Sequence, residues 1–306
     1  MMLHITNGGS VVESMRVAGM GETHLAWNDV LHEGPVPAGL SLEEMGRIRA
    51  AFLASCGWGA PDHVAGEFVR RDQALARFRD YEEVVLWFEH DLYDQLQLIQ
   101  LLHWFAGREW GAARLALICN QEYLGHLRPE ELQARFPARR AVSASQLNLG
   151  RAAWEAFCAP DPADLGRLAV TESSDLPCLP GALLRFLEQF PGLGDGLSRT
   201  ERQVLEVLSE GPSRFGEVFS AEQRKEERIF LGDATLWLYI HRLARAPVPL
   251  LTVEGKRLAI TEVGREVLAR RADSVRLNGI DRWLGGVHLE GPEALWRWDR
   301  ENRRLV

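Results

Sequence analysis

The sequence contains no apolar run that approaches the roughly 18 residues needed to span a bilayer. Its first residues lack the basic segment followed by an apolar one that is typical of a signal peptide. Its four cysteines form no Cys-x-x-Cys pair, which argues against a zinc site or a redox motif. We therefore expect a cytoplasmic protein with unpaired thiols and no membrane association.

Strongly basic segments are also missing. The chain has 35 Lys and Arg against 43 Asp and Glu, a net charge of −8. Residues 1–196 carry 16 basic and 26 acidic side chains, whereas residues 197–306 carry 19 basic and 17 acidic ones. A basic patch is the usual electrostatic footprint of a nucleic-acid-binding protein. DNA or RNA binding is therefore possible but not favoured.

What the first half does contain is an alternation of short apolar strands with helices. We predict strands at MLHIT, THLAW, EVVLWFEHDL and RLALICN, and helices over 9–19, from Ser41 to about Phe78, and over 93–107. The third and fourth strands are apolar on both sides, which suits strands covered on both faces. This order is typical of an α/β fold with a short parallel sheet flanked by helices.

The last third of the chain has a different order, with three helices and then a hairpin that turns at Gly255. This order predicts a winged-helix-like α+β domain, followed by a Gly- and Trp-rich tail of strands packed onto it. We accordingly predict an α/β domain over 1–165, a helical linker over 166–196 and the winged-helix-like domain over 197–306.

Polar residues follow each predicted strand of the first domain, where ligands bind in open parallel sheets. They are Thr6 to Ser10 after the first strand, Asn28 and Asp29 after the second, His90, Asp91 and Asp94 after the third, and Asn120 and Gln121 after the fourth. This convergence predicts a ligand crevice at the strand carboxyl ends.

The turn after the first strand consists of Thr6, Asn7, Gly8, Gly9 and Ser10. Glycines let backbone N–H groups approach an anion, and the following helix N-terminus carries a positive partial charge. Neither the Gly-x-Gly-x-x-Gly nor the Gly-x4-Gly-Lys-Ser/Thr motif is present. The alternative is an Asn-Gly turn in which Ser10 caps the helix.

The densest ionisable cluster follows the third strand and comprises Glu89, His90, Asp91 and Asp94. A histidine beside carboxylates suits a general base, so His90 and Asp91 are catalytic candidates. Gln95, on the next helical turn, is a further candidate for the same crevice. The alternative is that Asp91 or Asp94 caps the following helix and His90 bonds to nearby loops.

The loop after the second strand carries Asn28, Asp29, His32 and Glu33 beside two prolines that should fix its shape. We expect it to form a lip of the site, with Asp29 as a third catalytic candidate. Asp29 and His32 could also complete a metal site of imidazole and carboxylate ligands. A solvated connection is the alternative.

The third helix of the predicted winged helix argues against DNA binding. It starts with Asp233, which would repel phosphate, and continues with an almost entirely apolar body that favours burial. Lys256 and Arg257 at the wing tip are the only evident phosphate contacts. A packing role, including a homodimer through this domain, is favoured over direct DNA binding.

Arg282 lies in the tail segment GIDRWLGGVHL. It could bind a carboxylate or phosphate bidentately, reaching into the crevice of the first domain. The alternative is a surface pair with Asp281.

Several segments together resemble a bacterial family, domain of unknown function 1835, joined to a C-terminal module, domain of unknown function 3658. They are LHITNGGS, WNDVLHEGPVP, VLWFEHDLYDQLQLIQLL, GLSRTERQVLEVL, FLGDATLWLYIHRLA and LNGIDRWLGGVHL. The resemblance covers most of the chain and implies this two-part architecture, but no activity. Related sequences often carry an acidic residue where this chain has Gly9, a departure that weakens an enzymatic interpretation.

The first functional hypothesis is a site for a small anionic or nucleotide-like ligand, with hydrolysis or group transfer favoured over redox chemistry. The ligand-binding candidates are Thr6, Asn7, Gly8, Ser10, Asp94, Gln95 and Arg282. A ligand-responsive regulatory protein whose winged helix contacts DNA or a protein is the second hypothesis, and a non-catalytic interaction protein is the third. The sequence identifies neither a cofactor nor a metal.

Overall fold

A computed structural model of the chain describes residues 1–21 and 23–306. Its strands are β1 (Met2–Thr6), β2 (Thr23–Ala26), β3 (Gly34–Pro35), β4 (Glu83–Phe88), β5 (Arg114–Cys119), β6 (Arg140–Ala141), β7 (Ser213–Arg214), β8 (Leu251–Glu254), β9 (Arg257–Ile260), β10 (Ile280–Gly285), β11 (Val287–Gly291), β12 (Trp298–Asp299) and β13 (Arg304–Leu305).

The α-helices cover the sheets and connect them. They are α1 (Gly9–Val17), α2 (Leu42–Ser55), α3 (Pro61–Ala76), α4 (Leu92–Ala106), α5 (Pro129–Arg135), α6 (Ala144–Cys158), α7 (Ala163–Ala169), α8 (Leu179–Leu187), α9 (Arg199–Ser209), α10 (Phe215–Gln223), α11 (Asp233–Arg245), α12 (Glu262–Leu268) and α13 (Ser274–Asn278).

The main sheet has the strand order β2-β1-β4-β5-β6. The first four strands are parallel, and the short edge strand β6 pairs antiparallel with β5. The predicted mixed α/β fold with a mostly parallel sheet is confirmed. Because the chain adds β2 on one side of β1 and β4 on the other, the strand order reverses between β1 and β4, and the carboxyl ends of these two strands flank the switch point.

Both faces of the main sheet are covered, as the apolar strands predict. On β4, Leu86 and Phe88 belong to the large core beneath α4, whereas Val85 and Trp87 pack with residues of α1 and α5 on the opposite face. Successive side chains of a strand point to opposite faces, so a strand buried on both sides must be apolar throughout.

The helix predicted from Ser41 to about Phe78 begins as expected but is interrupted. Ser41 and Glu44 form the predicted capping box at the start of α2. The helix ends at Ser55 because Gly57 and Gly59 adopt positive φ angles of 78° and 154°, and α3 restarts with Pro61 in its first turn. The prediction of one continuous helix is therefore wrong.

In the last third, α9, α10 and α11 precede the β8–β9 hairpin, and β7 completes a three-stranded sheet with it in the order β7-β9-β8. The tail strand β10 pairs antiparallel with β11 and also parallel with β3, which lies in the loop after β2. The tail therefore packs against the first half of the chain as well. One hydrophobic core extends accordingly from Leu3 to Trp298.

All four cysteines are free thiols, as expected. Within residues 1–21 and 23–306, no helix combines the length and the apolarity that crossing a membrane requires.

Candidate functional site

Three buried carboxylates lie at the switch point between β1 and β4. Glu89 and Asp91 follow β4 directly, and Asp94 lies in the first turn of α4. One oxygen from each of the three side chains lies within 4.8 Å of the others. In the described part of the chain, no other group of three or more His, Cys, Asp and Glu side chains is close enough to share one metal ion. We call these three residues the acidic cluster.

Hydrogen bonds hold the acidic cluster in place. The Asn7 Nδ2 atom donates to Asp94 Oδ2 at 2.8 Å, and the Glu89 amide donates to Asp94 Oδ1 at 2.7 Å. The Leu124 amide donates to Glu89 Oε1 at 2.8 Å. Asp91 caps α4 by accepting from the Asp94 amide at 3.2 Å, so the predicted capping role is confirmed and coexists with membership of the cluster.

The cluster is electrostatically unbalanced. Glu89, Asp91 and Asp94 are only 4%, 2% and 1% exposed, and none of them has a basic ion-pair partner among the described residues. Burial and the charge of Asp91 raise the pKa of Glu89 to about 7, and burial raises the pKa of Asp91 to about 7. Burial and the two neighbouring carboxylates raise the pKa of Asp94 well above its usual value. Such a site either retains protons or binds a cation.

The turn after β1 leaves the N-terminus of α1 open. Gly8 is the N-cap residue, and no side chain caps the helix. The alternative in which Ser10 caps α1 is wrong, because Ser10 lies inside the helix and is exposed. Thr6 is buried and its hydroxyl donates to the Gly8 carbonyl at 3.0 Å. The first N–H groups of α1 are thus free of side-chain partners within the described residues.

Asn28 joins the end of β2 to this turn. The backbone N–H of Asn28 donates to the Asn7 carbonyl at 3.0 Å. A Cβ atom placed on Gly8 would lie 3.3 Å from Asn28 Oδ1. Asn28 has a φ of 50°, in the left-handed region that asparagine tolerates better than most residues.

His90 and Gln95 lie beside the acidic cluster in different roles. His90 is buried, and its Nδ1 atom has no hydrogen-bond partner among the described residues. Burial and the nearby Arg228 lower the pKa of His90, so its ring is neutral at pH 7. Gln95 Nε2 donates to the Glu89 carbonyl at 2.6 Å and therefore supports the cluster from α4.

Asp29 is not part of the cluster. Its side chain is fully buried and accepts a hydrogen bond from Arg49 Nε at 2.9 Å. Arg49 also donates to the carbonyls of Val30 and Glu33 at 2.8 and 2.7 Å. The loop after β2 is therefore shaped by a buried arginine of α2 in addition to its prolines, and Asp29 serves as the counterion of that arginine.

Arg282 does reach a carboxylate in the first half of the chain, but that carboxylate belongs to Glu33. Its guanidinium donates to Glu33 Oε1 at 2.8 Å, while Arg242 of α11 donates to Glu33 Oε2 at 2.9 Å. The Tyr239 hydroxyl donates to the same carboxylate. The two arginines hold the pKa of Glu33 at about 2 despite its complete burial. This network joins the loop after β2 to α11 and the tail.

A cavity of about 440 Å³ opens next to the cluster, between the loop after β2 and the start of α11. Sequence reasoning named two residues of its lining, Asn28 and His32. It missed Val30 and Tyr93, which lie among the predicted residues but are not ionisable strand-end groups, and it missed six residues from distant segments: Leu53, Trp58, Phe230, Gly232, Ala234 and Thr235. The contribution of the Leu124 amide to the cluster left no sequence signal either, because any residue supplies such a donor.

No protein-family model matches the chain, and no curated protein matches it. The resemblance to domains of unknown function 1835 and 3658 therefore stays a prediction.

Proposed function

We propose that the acidic cluster binds a divalent cation, most simply Mg²⁺, and through it the phosphate group of a small ligand. The observation that carries this proposal is the presence of three buried carboxylates within 4.8 Å of one another. None of them forms an ion pair within 4 Å in the described part of the chain, and Arg228, the one basic group that acts on Asp91 from nearby, donates instead to the His90 carbonyl at 3.0 Å. Without a cation, the three carboxylates avoid mutual repulsion only if some of them are protonated. A divalent cation instead compensates their negative charge directly.

The donor chemistry supports Mg²⁺ over softer metals. All three side chains of the cluster offer oxygen, which hard cations prefer, and no imidazole or thiolate belongs to the set. Mg²⁺ commonly binds to one or two carboxylates and keeps positions for water or for substrate phosphate.

The open N-terminus of α1 supports a phosphate as the second component. The acidic cluster would repel a free anion, so an anion needs the cation as a bridge. Asn7 bonds to Asp94, and the next two residues lead into the uncapped first turn of α1. A phosphate on the cation would thus have backbone N–H groups and a helix dipole beside it.

Isothermal titration of Mg²⁺ and Mn²⁺ at pH 8 tests the cation site. Asp94→Asn keeps a hydrogen-bonding side chain but removes one charge, and we expect it to weaken binding about tenfold or more. Asp62→Asn is the matched control because Asp62 is an exposed carboxylate in the first turn of α3. Equal binding by the two variants would refute the cation site.

Binding of Mg²⁺-pyrophosphate tests the phosphate component. Gly9 is exposed, and nothing lies within 4 Å of a Cβ atom placed on it, so an aspartate fits there without a clash. Gly9→Asp puts a negative charge in the first turn of α1 and should weaken pyrophosphate binding severalfold, whereas Gly9→Asn should leave it nearly unchanged. Mg²⁺ affinity in the absence of pyrophosphate should change much less.

Hydrolysis or group transfer is the enzymatic extension of this proposal, with His90 as the general base. Support comes from the neutral ring of His90, its unpartnered Nδ1 atom and its place between two members of the cluster in sequence. A His90→Gln variant that retains cation and pyrophosphate binding but loses phosphatase or phosphotransferase turnover would support this role. Undiminished turnover would exclude it.

We further infer that α9, α10, α11 and the β8–β9 hairpin form a winged helix that responds to the ligand. Gly232, Ala234 and Thr235, at the start of α11, line the cavity next to the cluster. Leu236 and Tyr239 of the same helix are buried, which favours a packing role over entry into a DNA groove. A ligand-dependent change in hydrogen exchange of α11, with no salt-sensitive DNA affinity, is the expected result.

A further inference from the structure

We propose that the 440 Å³ cavity beside the acidic cluster binds the heterocyclic base of a nucleoside phosphate. This inference rests on the proposed cation and phosphate site and extends it to a class of ligand. The cavity lies between the loop after β2, the end of α2, the start of α4 and the start of α11. Its volume falls within the range of small-molecule sites.

His32 provides the polar recognition group of the cavity. Its side chain is only 1% exposed and lines the cavity, and neither ring nitrogen has a partner among the described residues. Burial lowers the pKa of His32 to about 4, so the ring is neutral and offers one donor and one acceptor. A buried polar group without a partner is costly, and a ligand edge with a complementary donor and acceptor would satisfy it.

Aromatic side chains provide the stacking surfaces. Trp58, Tyr93 and Phe230 line the cavity; Trp58 and Tyr93 are partly exposed, and Phe230 is buried. The His32 ring packs nearly perpendicular to the rings of Phe230 and Tyr93, at centroid distances of 5.1 and 6.1 Å, and these contacts restrict its orientation. Planar heterocycles stack on such rings with little dependence on their identity.

The cavity and the acidic cluster share a wall. The Tyr93 hydroxyl donates to the Asn7 carbonyl at 3.4 Å, and the amide of Asn28 donates to the same carbonyl at 3.0 Å. Asn7 in turn donates from its side chain to Asp94 at 2.8 Å. One residue thus contacts two lining residues of the cavity and one carboxylate of the cluster. A ligand with a ring at one end and phosphate at the other fits this arrangement.

A second cavity of about 690 Å³, between α2, α3 and the end of α4, lacks these features. Its lining contains no buried polar side-chain atom without a partner among the described residues, and no member of the acidic cluster. It serves as an internal control, because an exposed alanine lines each cavity: Ala65 on α3 lines this one, and Ala234 on α11 lines the 440 Å³ cavity.

The test compares the affinities of Mg²⁺-pyrophosphate with those of the Mg²⁺ complexes of ADP, GDP, CDP and UDP, by isothermal titration of the full chain. We expect at least one nucleoside diphosphate to bind about tenfold or more tightly than pyrophosphate, because stacking of a base contributes roughly five- to 150-fold in affinity. His32→Phe keeps a planar aromatic side chain, somewhat larger than imidazole, without the ring nitrogens, and it should lose most of that advantage.

Ala234→Leu should block the cavity at the exposed start of α11 and abolish the advantage, whereas Ala65→Leu should leave it unchanged. Because Ala234 is exposed, this variant remains informative if His32→Phe does not fold. Pyrophosphate affinity should be the same in all three variants. If pyrophosphate binds and no nucleoside diphosphate binds more tightly, the base subsite is wrong while the phosphate site stands. If neither pyrophosphate nor Mg²⁺ binds, the proposed function itself fails.

Discussion

Replacing one carboxylate of the acidic cluster should make the protein more stable at alkaline pH in the absence of metal. Asp91→Asn is the sharpest form of this experiment, because asparagine caps a helix about as well as aspartate and so preserves the start of α4. What the substitution removes is a buried negative charge with no basic ion-pair partner in the described part of the chain.

The magnitude follows from the pKa of Asp91, which burial raises from 3.8 to about 7. When folding raises the pKa of a carboxyl, its contribution to the free energy of unfolding is fully present below the unfolded pKa. That contribution is lost as the pH rises from the unfolded pKa through the folded pKa. Between pH 5 and pH 7 the unfolded chain is already ionised at this residue while the folded chain keeps its proton. The free energy of unfolding should therefore fall by about 3 kcal/mol between pH 5 and pH 8 as this carboxyl ionises.

Urea unfolding at pH 4, pH 5 and pH 8, with and without Mg²⁺, measures this effect. Wild type and Asp91→Asn should have nearly equal stability at pH 4 and differ by about 4 kcal/mol at pH 8 without Mg²⁺, with the variant the more stable. Mg²⁺ at about 100 times its dissociation constant should stabilise wild type by roughly 2.7 kcal/mol and the variant by much less.

Glu222→Gln is the matched control, because burial also raises the pKa of Glu222 to about 7 and both of its carboxylate oxygens lack partners among the described residues. It should gain stability at pH 8 just as Asp91→Asn does, but keep the full response to Mg²⁺. The reasoning is refuted if Asp91→Asn is no more stable than wild type at pH 8, or if Mg²⁺ stabilises both variants equally.

Three further predictions concern the scaffold around the site. Arg282→Met leaves Glu33 buried with one cation fewer and should lower the free energy of unfolding by about 3 kcal/mol in urea at pH 7. Since the pKa of Glu33 is lowered to about 2, the difference between variant and wild type should shrink as the pH falls from 4.5 towards 2. Asn28→Ala should cost about 1 kcal/mol because its φ is 50°, whereas Asn28→Gly should cost less, as thermal unfolding would show. Gly286→Ala should prevent folding, because the new Cβ atom would lie 1.8 Å from a carbonyl oxygen of α6, and the result should be a loss of soluble protein. Gly166→Ala in α7 is the control: its Cβ atom would have no neighbour within 4 Å, so the protein should remain soluble.

The main sheet was predictable from sequence because its strands carry unambiguous local signals. The segments of β1, β4 and β5 are short, largely apolar runs followed by polar residues, and burial on both faces demands that pattern. The pairing of β3 with β10 carried no such signal. It involves only Gly34 and Pro35 on one side and a partner about 250 residues away, so it depends on tertiary packing that local patterns do not encode.

The acidic cluster was predictable for a geometric reason. Parallel strands end at one edge of the sheet, so residues that follow β1 and β4 must meet, and Asn7 does meet Asp94 there. The environment of Asp29 was not predictable, although it also follows a strand. Whether a carboxylate at a strand end faces the crevice or a buried cation depends on where α2 places Arg49, and that position is set by packing between helices.

In the loop after β2, the residues that line the cavity differ from those whose ion pairs hold the loop in place. Asn28 and His32 line the cavity, whereas Asp29 and Glu33 are held by buried arginines and do not belong to its lining. The ion pairs that fix the loop thus leave its ligand-facing groups free, so the cost of ordering the loop is met on folding and not on binding. Substitutions at Glu33 should therefore change the free energy of unfolding far more than ligand affinity, and substitutions at His32 should do the reverse.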